Sequence, residues 1–112
     1  MAKTDEQWAF VQDVAQLIRK ADELGIRLTI GSGYRDAEEQ ARMVERGVSK
    51  THKSQHCERL AVDFNFFING ALTYKKPDVQ ALGDYWESLH EKNRWGGNWT
   101  SFIDTPHFER ST

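Results

Sequence analysis

The run Leu60–Ile68, LAVDFNFFI, followed at once by Asn69-Gly70, constrains the fold more than any other stretch. Apolar residues recur at every second position through Leu60, Val62, Phe64 and Phe66, the period of a strand buried on one face. Asn-Gly tolerates two successive positive φ angles. The run therefore turns back on itself as a hairpin, with ALTY as the return strand. Ala61, Asp63, Asn65 and Phe67 then share the opposite face. Asp63 is the anomaly, because a carboxylate inside an apolar strand is costly without a metal ion, an arginine or water beside it. The plainest alternative is that Asp63 faces solvent.

Around this hairpin the sequence predicts helices. Thr4 and Gln7 fit a capping box. Behind them Trp8, Val11, Val14, Ala15, Ile18 and Ala21 follow helical spacing, with Leu17 and Leu24 widening the stripe and Gly25 closing the helix. A short strand follows around Ile26, Leu28 and Ile30. Asp36 and Glu39 form a second capping pattern, opening a helix to about Gly47. Residues 48–59 are polar and aperiodic, an ordered loop leading into the strand. Pro77 suits the first turn of a third helix, with Val79, Leu82, Trp86 and Leu89 as its buried stripe. IDTPHFER reads as a turn into a last strand. The expected class is α+β, a small antiparallel sheet flanked by helices, in one domain over residues 1–112.

A net charge of −2 argues against a broad electrostatic grip on nucleic acid or on an anionic membrane. The single cysteine, Cys57, excludes an internal disulfide. No stretch approaches membrane-spanning length, and the first residues lack the apolar core of a secretory signal. The expectation is a monomer made in the cytoplasm, with no stable membrane association.

Chemistry concentrates in three places. His56 lies just ahead of the strand that carries Asp63. His107 lies on the expected last strand, and Asp104 precedes it across Pro106, which stiffens the spacing. Two histidines and one carboxylate leave a fourth zinc position open, the layout of a catalytic site. Asp104 would be an additional carboxylate able to move a proton. Taken singly, each has an ordinary reading: a loop histidine, a turn aspartate, a satisfied strand histidine. Arg35 follows a strand and a glycine turn, where it could clamp a substrate carboxylate or an oxyanion, or simply face solvent. Trp95 and Trp99 flank Gly96-Gly97 and could wall a groove or pack in the core. Lys50 and Lys53 with Arg35 could make a local basic cleft, and His52 could line the cleft, although solvated loop residues are the default for the lysines and for His52. Cys57 adjoins His56, but on an extended backbone it would point away. Glu109 could orient a histidine from behind. No HExxH helix is present.

Taken together, Ser32-Gly33-Tyr34-Arg35 with Gln40, Ser54-x-His56 with Ala61-x-Asp63, and Asp104-x-x-His107 resemble the M15 zinc peptidases. This family contains D-Ala-D-Ala carboxypeptidases and dipeptidases and the L-alanyl-D-glutamate endopeptidases of phage endolysins. GVSKTHKSQH and GGNWTSFIDTPHFE look most like the endolysin branch. The resemblance implies a fold shared with the hedgehog signalling domain. It implies one zinc ion on His56, Asp63 and His107, Asp104 as general base, and Arg35 at the substrate or transition state. Ser54, Gln40 and Trp95 are the further candidates for contacts with substrate. Many relatives carry glycine at the position of Arg59, three residues after the first zinc histidine.

The activity so implied is hydrolysis of an amide bond in the peptidoglycan stem peptide, between L-Ala and D-Glu, by an enzyme that reaches the wall after release from the cell. The alternatives are a D-Ala-D-Ala carboxypeptidase or dipeptidase of the same fold, and a non-catalytic, zinc-containing module that binds cell wall.

Overall fold

The computed structural model describes residues 2–47 and 54–111. Lys50, His52 and Lys53, read as solvated loop residues or as part of a basic cleft, lie outside the described residues. The elements are α1 (Lys3–Glu23), β1 (Arg27–Ser32), α2 (Ala37–Glu45), a 3₁₀ turn (Gln55–Glu58), β2 (Ala61–Ile68), β3 (Ala71–Thr73), α3 (Lys76–Leu89), β4 (Asn93–Trp95) and β5 (His107–Arg110). The class is α+β, as expected.

The sheet is antiparallel throughout its described pairings, in the order β1-β2-β5-β4. β2 is its spine. β1 lies along one edge, while β5 and then β3 share the other, because Phe66 pairs both Leu28 and Thr73 and Asp63 pairs both Ser32 and His107. The hairpin forms where Asn-Gly puts it, with Asn69 at φ 52° and Gly70 at φ 80°. Leu60, Val62, Phe64 and Phe66 face inward and are all buried. They meet Phe108 of β5 and the Val79–Leu82–Trp86 stripe of α3. β4 is too short to show a period and was not legible in the sequence.

α1 departs from expectation on two points. Its first turn has Ala2 as N-cap with no side-chain bond, so the Thr4–Gln7 box does not form. Gln7 instead donates to the Glu58 carbonyl at 2.9 Å. The buried stripe is Phe10, Leu17 and Ala21 with Val14 half-buried, whereas Trp8, Val11, Ala15 and Ile18 face outward. Both stripes have helical spacing. Packing decided between them, since Phe10 sets its ring edge-on to Trp86 at 5.5 Å. The end of α1 is as expected: Ile26 N donates to Ala21 O at 2.8 Å and Gly25 N to Asp22 O at 3.1 Å, the paired bonds of a Schellman cap. In β1 the inward face is covered only at its start. Ile26 is buried and Leu28 half-buried, but Ile30 is 73% exposed on the edge strand.

Trp95 and α3 approach so closely that a Cβ on Gly83 would lie 2.1 Å from the indole ring. Only glycine admits that contact. Trp95 is wholly buried, stacks on Phe108 and donates from Nε1 to Thr105 O at 2.7 Å. It therefore packs in the core, the second of the two readings the sequence offered, and presents no exposed surface for the substrate contact of the first.

Candidate metal centre and active site

Three different elements bring their side chains to one point. Ser54 caps the 3₁₀ turn, its Oγ accepting from His56 N at 3.2 Å, and Arg59 ends the turn in the left-handed conformation at φ 59°. The turn is fastened to β5 by Gln55 Nε2 donating to Arg110 O, and to α1 by the Lys3–Glu58 ion pair. His56 is thereby buried beside the sheet. Asp63 stands on the outward face of β2, and β5 sets His107 directly opposite it in register. Because the turn is 3₁₀ and not extended, the expected reason for Cys57 to point away does not apply. Even so, the group of close ligand-type side chains found among the described residues is His56, Asp63 and His107.

One oxygen of Asp63 faces both rings. His56 Nε2 lies 3.2 Å and His107 Nδ1 3.1 Å from Asp63 Oδ1. The three ligand atoms all lie within 4.8 Å of one another. Tetrahedral zinc with bonds near 2.1 Å separates its ligand atoms by about 3.4 Å, so the cluster has the right size. Its hydrogen bonding fits too. His56 Nδ1 donates to Gly33 O at 2.7 Å, and the outer nitrogen of His107, Nε2, meets Glu109 Oε1 at 2.6 Å. Each ring thus spends its hydrogen on an outer acceptor and turns its other nitrogen toward the carboxylate. A lone pair facing an anionic oxygen needs a cation between them, either a proton or a metal ion.

The charges behave accordingly. Burial raises the Asp63 carboxyl, but hydrogen bonds from His107 and His56 outweigh it and hold the group well below the ordinary carboxylate range. Burial depresses His107, yet its hydrogen bonds to Asp63 and Glu109 prevail and push it up to about 9.

Arg35 is buried against the other carboxylate oxygen. Its Nη2 donates to Asp63 Oδ2, its Nη1 to Gln40 Oε1 and its Nε to Ser32 Oγ, each at 3.1 Å. The expected open clamp for a substrate carboxylate is therefore corrected: the fork is largely committed inside the protein, where it fixes the orientation of Asp63. Gln40 is wholly buried under it and is likewise removed from the substrate contacts. The Asp36 cap forms as predicted, Glu39 N donating to Asp36 Oδ1 at 2.8 Å, and sets α2 so that Gln40 reaches Arg35.

Asp104 is half-buried at the edge of this cluster. Burial and then the Asp63 charge raise its carboxyl above the ordinary range, against the pull of His107, His56 and Arg35. Its backbone is held on both sides: Asp104 N donates to Gly96 O at 3.0 Å, and His107 N donates to Asp104 O at 3.1 Å. A Cβ on Gly96 would sit 2.3 Å from that same carbonyl oxygen, so glycine permits the approach that places Asp104. Trp99, named in the sequence only as one of a pair, lies tilted against the His107 ring at 5.1 Å. The Gly33 carbonyl that orients His56 had no sequence signal, since any residue supplies a carbonyl.

A peptidase M15 family model, described as D-alanyl-D-alanine carboxypeptidase, matches residues 47–110, more than half of the chain. The chain belongs to the M15 peptidase family. This M15 chain is 29% identical over 97 residues to the L-alanyl-D-glutamate peptidase of Listeria phage A118. The match covers 84% of the M15 chain, which spans about a third of that relative's length (34%). The fold resembles the crystal structure of the Serratia marcescens L-Ala D-Glu endopeptidase ChiX, with a TM-score of 0.70 and 25% identity. That likeness covers 89% of this chain and 79% of the other. The matched segment of this M15 peptidase holds His56, Asp63, Asp104 and His107 and leaves out Arg35 and Gln40.

Proposed function

We propose that this M15 peptidase is a zinc enzyme that hydrolyses the L-Ala–D-Glu amide bond of the peptidoglycan stem peptide, in a phage or prophage lysis role. The observation that carries the reading is the convergence of His56, Asp63 and His107 beside a half-buried carboxyl of raised pKa. His56, Asp63 and His107 would hold the ion, which when bound supplies Lewis acidity that activates water near neutral pH and polarises a carbonyl. Asp104 accepts a proton from the attacking water and delivers it to the leaving amine nitrogen. Its raised pKa suits both halves of that task, because a base closer to the working pH takes and returns a proton more evenly. Arg35 and Glu109 are positioning residues. Arg35 holds Asp63, and Glu109 holds the outer nitrogen of His107.

The relatives' names favour the endopeptidase bond over a terminal D-Ala. A chain made in the cytoplasm and released to the wall at lysis is consistent with this role. No described helix is long and apolar enough to cross a membrane. The test is digestion of purified muropeptides with zinc and with chelator, the products assigned by mass spectrometry. New amino-terminal D-Glu supports the reading. Loss of terminal D-Ala points to the carboxypeptidase instead, and wall binding without any product points to a non-catalytic module.

A further inference from the structure

The two flanks of the site differ in chemistry. On the His107 flank, Trp99 leans on the imidazole, and the segment between Trp99 and Asp104 exposes Phe102 and Ile103. The His56 flank is polar and cationic. Gly33 and Arg35 both bond to His56, through the Gly33 carbonyl at 2.7 Å and Arg35 N to His56 O at 3.1 Å. The residue between them, Tyr34, is 53% exposed, and the Arg59 guanidinium carbon lies over its ring, 3.9 Å from the centroid.

Arg59 occupies the left-handed region at φ 59°, where a side chain bearing a Cβ is disfavoured. The 3₁₀ turn requires that conformation, since Arg59 N and Leu60 N fold back to His56 O and Gln55 O. Glycine would meet the requirement without strain. Among the described residues no carboxylate lies in ion-pair range of Arg59, and neighbouring Glu58 is taken by Lys3. Arg59 is exposed, and its contact with the tyrosine face restrains the guanidinium, an arrangement that receives a planar anion with less loss of side-chain freedom.

We propose that Arg59, stacked on Tyr34, is the specificity residue that binds the free carboxylate of the substrate's acidic residue on the His56 flank. The apolar segment opposite would receive the small apolar residue on the other side of the scissile bond. This assignment rests on the peptidase reading above but does not require Arg59 to take part in bond cleavage.

The test uses an L-Ala–D-Glu-containing stem peptide with the glutamate carboxylate free, and the same peptide with it converted to a carboxamide. Binding to the chelator-treated protein is followed by NMR, and hydrolysis by the zinc-loaded protein is followed separately. The wild type should bind the acid about tenfold more tightly than the amide, with shifts at Tyr34 and Arg59. Arg59→Gly should abolish that preference through weaker binding of the acid alone, raising KM for it with little change in kcat. Its Tm should hold or rise, because the left-handed strain is relieved. Arg59→Lys should keep part of the preference, having charge without the planar stack. Equal binding of acid and amide by the wild type, a preference that survives in Arg59→Gly, or failure to bind the acid overturns the assignment. A preference that depends on Arg59 without any cleavage upholds it and removes the peptidase reading instead.

Discussion

Removing metal and raising the pH probes the charge balance around His107. In the metal-free protein its ring lies between Asp63 and Glu109, and its pKa is raised from 6.5 to about 9. A folded-state pKa above the unfolded value means stability that is fully present below about 6.5 and is lost as the pH rises through about 9. At about 1.4 kcal/mol per unit the whole contribution is about 3 kcal/mol. Between about pH 6 and about pH 8.5, roughly 2 kcal/mol of it should disappear. Asp63 has the opposite sign. Its lowered pKa gives stability present above its ordinary value near 3.8 and lost only in acid, as the pH falls through the folded value. The two shifts describe one ion pair and are not added. Urea unfolding in chelator, followed by tryptophan fluorescence at both pH values, measures the loss. Zinc should reverse the trend, because the ion takes the ring only after its proton has left. Zinc affinity should rise by up to about tenfold per pH unit below 9. Metal-free stability that stays level or increases across this range would refute the placement of a protonated His107 between two carboxylates.

Further outcomes follow from the same geometry. Asp104→Asn should leave zinc binding intact while muropeptide hydrolysis falls by about 10²–10⁴-fold, separated by metal analysis and product chromatography. Glu109→Gln removes the anion behind the His107 ring and should weaken zinc affinity by about 10–100-fold in a chelator competition. Gly83→Ala drives a methyl into the Trp95 ring and should destabilise the fold by about 1–3 kcal/mol or more, read as a lower urea midpoint with unchanged slope. Gly96→Ala presses on the Asp104 carbonyl and should cost activity beyond its effect on stability, measured as residual hydrolysis by the folded fraction.

The sequence by itself determined the elements whose cause is local. Alternation in LAVDFNFFI fixed the inward face of β2, and Asn69-Gly70 fixed the hairpin. Asp36 with Glu39, Gly25 and Pro77 fixed ends of α1, α2 and α3. It also offered His56, Asp63 and His107 as candidate ligands, but each had an ordinary reading by itself, and only the resemblance to the M15 peptidases joined them into one set. What it left open depends on which surfaces meet. Two stripes on α1 had equal helical spacing, and only the Phe10–Trp86 contact chose between them. Arg35, Gln40 and Trp95 looked available to a substrate because exposure is not a property of sequence. In the fold Arg35 is drawn inward by Asp63, Gln40 is buried beneath Arg35, and Trp95 fills the space that Gly83 leaves. The tertiary structure alone decided that the two histidine nitrogens would point at one carboxylate oxygen. That convergence depends on the β2–β5 register and on a turn held by residues from both ends of the chain.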